Sequence, residues 1–135
     1  MTRLSLLIVA LMTFTGCVQP ATALFKLDEP FWVRVEHSVQ IERLSVRFVR
    51  VIEDSRCPID VVCVWEGNAQ VELELQTQSA SPAQMTLNSM LAPTELEYAG
   101  YRVRYLDLEP RPCTRCRLNP KEYRLKLIVS RSAPP

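Results

Sequence analysis

The chain has three glycines and one histidine among 135 residues, and almost no net charge. Each shortage excludes a class of function. Three glycines cannot make a glycine-rich loop that cradles phosphate, so nucleotide chemistry of that type is out. The single histidine, His37, suggests no Ser/His/Asp or Cys/His arrangement by its position, and reads as a structural or exposed residue. Lys and Arg number 16 against 15 Asp and Glu. Arg3 is the only charge before Cys17, so the rest of the chain balances at 15 against 15. No global field draws nucleic acid or an acidic surface, and no nucleic-acid partner is expected.

Long hydrophobic runs are also missing. Leu4–Met12 is apolar apart from Ser5, but a bilayer span needs about 20 apolar residues. With Arg3 ahead of it, Met1–Gly16 reads instead as an export signal. Phe14-Thr15-Gly16-Cys17 resembles the lipobox of bacterial lipoproteins, in which the cysteine is lipid-modified; Phe14 departs from the Leu usual there. Ala21-Thr22-Ala23 is a rival A-x-A site for ordinary secretion, giving a soluble periplasmic or secreted protein. It would place the cut about ten residues beyond the apolar core, so the lipoprotein is preferred. Val18, where Asp would retain a lipoprotein elsewhere, resembles the pattern of outer-membrane lipoproteins. The expected organisation is a signal over 1–16, a tether over 17–30 and one β-sandwich domain over 31–131.

What the chain has in plenty is period-two alternation. Val33 and Val35 alternate with Arg34 and Glu36 within Trp32–Gln40. Leu44, Val46 and Phe48 do so with Arg43, Ser45 and Arg47, and the apolar phase then moves to Val49 and Val51, which predicts a β-bulge near Phe48–Val49. The odd positions from Cys63 through Trp65, Gly67 and Ala69 to Leu75 form one face of an apparent long strand. Glu72 and Glu74 lie on its other face as part of a solvated stripe. Met85 and Leu87 make a short strand, Leu91–Gly100 an irregular connection. Tyr101, Val103 and Tyr105, then Tyr123, Leu125, Leu127 and Val129, mark the last two strands. No amphipathic helix exceeds a couple of turns. Six or seven strands in this length predict an all-β, antiparallel sandwich, immunoglobulin-like or a related Greek key.

The chain has five cysteines. Without Cys17, the candidate lipidation site, four remain: Cys57, Cys63, Cys113 and Cys116. An even set in an oxidising compartment reads as two disulfides. Three connectivities are possible, and proximity favours the two local pairs. Each local loop is worth about 2 kcal/mol, whereas a crossed pairing would be worth about 4 kcal/mol. Pro58 fixes φ between the first two cysteines. Asp54 and Ser55 suit a turn, Arg56 has Asp54 and Asp60 as candidate partners, and Cys63 and Trp65 share a parity that would pack the indole over the bridge. Gly67, in phase with that face, predicts a notch filled by a neighbour such as Trp32. A cross-link locking a loop to the sheet is the preferred reading of this stretch.

The pattern D-S-R-C-P-x4-C-x-W-x-G, Asp54 to Gly67, resembles one found in a group of small secreted bacterial proteins and lipoproteins. Leu108, Pro110, Pro120 and Tyr123-Arg124-Leu125 also look like that group's closing strand. The resemblance carries no activity to transfer. It departs at Cys113-Thr114-Arg115-Cys116, where a proline-rich turn without cysteines is the group's pattern.

Arg111, Arg115 and Arg117 around that second pair would stabilise a thiolate, so a periplasmic thiol–disulfide protein is one alternative. No βαβ pattern surrounds the motif, which counts against it. A metal-handling lipoprotein with four thiolates is another; the spacing is off the two-knuckle zinc pattern. Arg111, Arg115, Arg117, Lys121 and Arg124 form the one basic cluster, a candidate contact for anionic glycolipid, lipid head groups or an acidic envelope protein. The preferred expectation is a lipid-anchored structural or interaction module without catalysis, metal or cofactor.

Overall fold

A computed structural model describes residues 24–133. Cys17 and the signal segment lie outside the described residues. The fold is a sandwich of two sheets, as the alternation predicts. Its strands are β1 (Leu24–Phe25), β2 (Phe31–Arg34), β3 (Ser38–Ile41), β4 (Leu44–Asp54), β5 (Ala69–Gln76), β6 (Ala83–Asn88), β7 (Glu95–Tyr98), β8 (Tyr101–Glu109) and β9 (Arg124–Arg131). One sheet has the order β1-β3-β4-β5-β6 and the other β2-β9-β8-β7. Every pairing is antiparallel except that of β1, which runs parallel to β3.

Nine strands stand among the described residues where six or seven were expected. Three elements account for the difference. Leu24 and Phe25, in the segment read as a tether, pair with Gln40 and Ile41. Trp32–Gln40 is not one strand: the chain turns at Val35–His37, with Glu36 at φ 63°, and passes from one sheet to the other. Within the connection expected to be irregular, Glu95–Tyr98 pairs with Tyr101–Arg104 across a tight turn at Ala99-Gly100. Short elements of this kind carry too few residues for a period to register.

Each sheet is mainly a meander of consecutive strands, unlike the immunoglobulin arrangement. The Greek-key element is β2, which returns beside β9 across a long connection. The core follows from parity. Leu44, Val46 and Phe48 of β4, Val71, Leu73 and Leu75 of β5, and Leu125, Leu127 and Val129 of β9 are fully buried. The expected bulge is present, with a register shift between Phe48 and Arg50 and a second between Val51 and Glu53. A third shift, between Tyr105 and Asp107, moves the inward phase of β8 from Val103 to Leu108 and turns Leu106 outward. Glu72 and Glu74 form cross-strand ion pairs with Arg50 and Arg47 on the solvated face. His37 donates from Nδ1 to the carbonyl of Val35 at 2.9 Å and stiffens the turn between the sheets.

Candidate interaction face at the two-disulfide end

β4 and β5 form a long hairpin, and its connection reaches beyond the sheet. Ser55 N donates to the Asn68 carbonyl at 2.8 Å, and Cys57 N to the Glu66 carbonyl at 2.8 Å. Between these rungs Gly67 adopts φ +73°, and a Cβ there would lie 1.8 Å from the Ser55 carbonyl oxygen. Only glycine fits. The expected notch is therefore filled by the backbone of Ser55, not by Trp32.

The positive φ also breaks the parity extended back from β5. The long strand expected from Cys63 begins instead at Ala69. Asn68, which shares the parity of the solvated Glu72 and Glu74, is buried. Cys63 is exposed, and Trp65 retains 64% of its surface rather than packing over the bridge. The stretch is not a corner of the core. It is a loop held outside it.

Asp54 and Arg56 anchor this loop to both sheets. Arg56 Nε and Nη2 donate to the two carboxylate oxygens of Asp54, each at 2.7 Å. The same guanidinium donates to the carbonyls of Leu108 and Pro110, on the opposite sheet and just past its β8 strand. Tyr123 completes the latch, its hydroxyl donating to Asp54 Oδ2 at 2.9 Å. Burial alone opposes ionisation of Asp54, but the hydrogen bonds and charge of Arg56, with the Tyr123 hydroxyl, hold its pKa below the ordinary carboxylate value. Burial and the neighbouring carboxylate push Tyr123 up to about 12. Arg56 thus pairs with Asp54, while Asp60 takes a different partner.

That partner is Thr114, whose N–H and hydroxyl both donate to the Asp60 carboxylate. Ile59 N also donates to the Pro112 carbonyl at 3.0 Å. These bonds join the two cysteine loops. Both local disulfides are formed, Cys57–Cys63 with Cα atoms 5.9 Å apart and Cys113–Cys116 with 5.1 Å. Pro58 sits inside the first ring, where its carbonyl also accepts from Val61 N and closes the turn.

The basic cluster is brought together only in part. Arg111 lies 3.8 Å from Asp107. Arg124 is on β9, paired with Glu109 and stacked 5.0 Å from the Trp32 ring, so it belongs to the sheet surface. Lys121 is in a short 3-10 turn capped by Asn119. Arg115 lies within the second disulfide ring and Arg117 just past it, and both are exposed.

Two features of this end carried no signal in the alternation. Asn68 is the first: its Nδ2 donates to Asn88 at 3.0 Å, and its Oδ1 accepts from Met90 N and Leu91 N. An Asn beside a glycine at a strand start was the available clue, since both residues are depleted within strands. The second is the clustering of exposed apolar residues. Ile59, Val61, Val62, Val64 and Trp65 of the first loop are exposed, as are Met90 and Leu91 on the turn that Asn68 holds, and Leu106 on β8. An open groove of about 540 Å³ lies between the first loop, Met90 and the Tyr105–Asp107 segment, with Arg111 at its rim. Among the described residues no three His, Cys, Asp or Glu side chains are grouped to hold a metal ion. No family model, curated protein or solved structure matches the chain.

Proposed function

We propose that this chain is a non-catalytic interaction module of the bacterial envelope, lipid-anchored through Cys17, whose working face is the two-disulfide end. One observation carries the reading. The first disulfide loop gathers Ile59, Val61, Val62, Val64 and Trp65 at solvent, whereas the sandwich strands bury Val33, Val46, Val71, Val103, Val129 and Ile41 and leave Ile52 as an isolated exposed side chain. Apolar surface gathered at one site marks an interface, whereas scattered exposure does not. The loop is braced covalently, by the Arg56 latch and by Thr114, so binding there orders little.

An outer-membrane location facing the periplasm follows from Cys17 and Val18, and an oxidising compartment suits the two disulfides. The thiol–disulfide reading has less support. A helix N-terminus is one source of a stabilised thiolate and neighbouring arginines another; among the described residues no α-helix follows Cys113 or Cys116, so only the arginines are available to this pair.

Palmitate labelling in cells tests the anchor: label on the parent and none on Cys17→Ser is expected, and label that survives the substitution removes it. Photo-crosslinking in the envelope tests the face. Adducts are expected from a probe at position 62 and none from one at position 47, on the opposite hairpin end. Equal adducts from both positions would remove the face.

A further inference from the structure

Val62 and Val64 have relative exposures of 101% and 109%, so neither side chain touches any neighbour that would shield it. They stand at the crest of a loop closed by Cys57–Cys63. Trp65, less exposed, lies beside them. Val61 and Val62 form part of the wall of the groove, but Val64 and Trp65 lie outside it, and a protruding aliphatic tip has no pocket of its own, whereas protein hot spots are desolvated pockets. A bilayer needs no complementary shape. It accepts protruding aliphatic side chains into its acyl boundary and Trp at head-group level.

The charge beside the crest points the same way. The second disulfide loop is bonded directly to the first through Ile59–Pro112 and Asp60–Thr114. Arg115 and Arg117 are exposed on that loop, next to Thr114 and Cys116 in the chain, and no carboxylate pairs with either among the described residues. Thr114 holds Asp60 in its ionised form and Glu66 lines the groove, so Arg115 and Arg117 offset these two negative charges and Asp60 stays at the base of the loop with Thr114. Guanidinium groups on the rim of an apolar crest match the phosphates of anionic lipid.

We infer that the Ile59–Trp65 crest inserts into the head-group layer of a bilayer containing anionic lipid, with Arg115 and Arg117 on the phosphates. The inference rests on this end being the working face and names its partner. Insertion sets the orientation of the domain on the membrane: the crest and the second disulfide loop face the lipid, and the hairpin end at Glu42–Arg43 points away.

The test uses exported protein carrying Cys17→Ser, so that no acyl chain contributes, and Trp32→Phe, so that Trp65 is the only reporter. The probe is vesicles of phosphatidylethanolamine with phosphatidylglycerol. The protein is expected to sediment with them, and lipids brominated near the head group should quench Trp65. Val62→Asp with Val64→Asp should lower partitioning about tenfold or more. Arg115→Gln and Arg117→Gln should each lower it by about fivefold, and only when phosphatidylglycerol is present. Both valines are free of the core, so an unchanged melting curve shows that the fold is intact. Failure of the parent to sediment, or equal sedimentation of the double-aspartate variant, overturns the inference. If vesicles are not bound but the double-aspartate variant loses an envelope-protein crosslink in cells, lipid is the wrong partner and the working face stands. If neither assay responds to that variant, both readings fall.

Discussion

Ala69–Gln76 and Ile59–Trp65 belong to the same connection-and-strand unit and draw on similar apolar residues, yet they live in opposite environments. In β5 every second residue, Ala69, Val71, Leu73 and Leu75, is fully buried against the opposite sheet. In the loop, Val61, Val62, Val64 and Trp65 face water. Composition does not decide the difference; the presence of a second layer does. β5 has β4 and β6 at its edges and the other sheet across its inner face. The loop has its own disulfide, a latch at its base and a neighbouring loop. One region is stabilised by burial, the other by covalent and polar ties that leave its apolar side chains unspent.

The largest effect should therefore come from the buried member of the comparison. Leu73→Ala is expected to cost about 2–5 kcal/mol, through lost transfer free energy and the cavity left in a site closed on all sides. Urea unfolding followed by far-ultraviolet circular dichroism measures it. A cost below that of a surface substitution would mean that β5 is not the centre of the core.

Next is the tie between the regions. Asp54 and Arg56 side chains are 9% and 10% exposed, so Asp54→Asn leaves a guanidinium with little access to water. A loss of about 3 kcal/mol is expected. The pH dependence has two arms. The folded pKa of Asp54 is depressed, so its contribution is complete above the ordinary carboxyl value near 3.8 and disappears as pH falls through the lower folded value. Tyr123 is displaced the other way, up to about 12 from 10.0. Its contribution is complete below pH 10 and is lost as pH rises through its folded value, because the unfolded chain ionises first. Tyr105, pushed up to about 12 mainly by burial, adds to the alkaline arm. Asp54→Asn should flatten the acid arm and Tyr123→Phe should reduce the alkaline one, each read from melting temperature against pH.

Smaller again is the covalent brace. Cys57→Ser with Cys63→Ser opens a short ring and should cost about 2 kcal/mol. Cys113→Ser with Cys116→Ser should cost no more, since that ring is shorter. Loss of the first bridge should also speed amide hydrogen exchange over Ile59–Trp65 while leaving Ala69–Gln76 protected. Equal acceleration in both would show that the loop and the strand open as one unit.

The sandwich was legible because burial writes period two into the sequence wherever a strand has a wet and a dry face. Leu44 to Phe48, Val71 to Leu75 and Leu125 to Val129 declare it, and the bulge at Phe48–Arg50 is visible as a change of phase. The site was legible only in part. Proximity in sequence favoured the two near cysteine pairs, which are the ones formed, and left Arg56 two candidate partners, of which Asp54 is the one engaged. The orientation of Trp65 did not follow, because Cys63, Trp65 and Gly67 kept the parity of β5 while Gly67 turned the backbone out of the sheet. Contacts of Arg56 with Leu108 and Pro110, and of Asp60 with Thr114, join positions far apart in the chain. No local pattern records them.

The smallest stability effect is the sharpest probe of the comparison. Val62→Ser and Val64→Ser remove apolar surface that is already in water, so each should change the free energy of unfolding by less than about 0.5 kcal/mol. The identical substitution at Val71, which is fully buried, leaves a cavity and buries a hydroxyl, and should cost several times more. Three valines within ten positions thus give a direct reading of what the second layer contributes. If Val62→Ser or Val64→Ser proved as costly as Val71→Ser, the crest would be packed against something in the free protein. Its apolar residues would then be core after all, with nothing left to offer a partner.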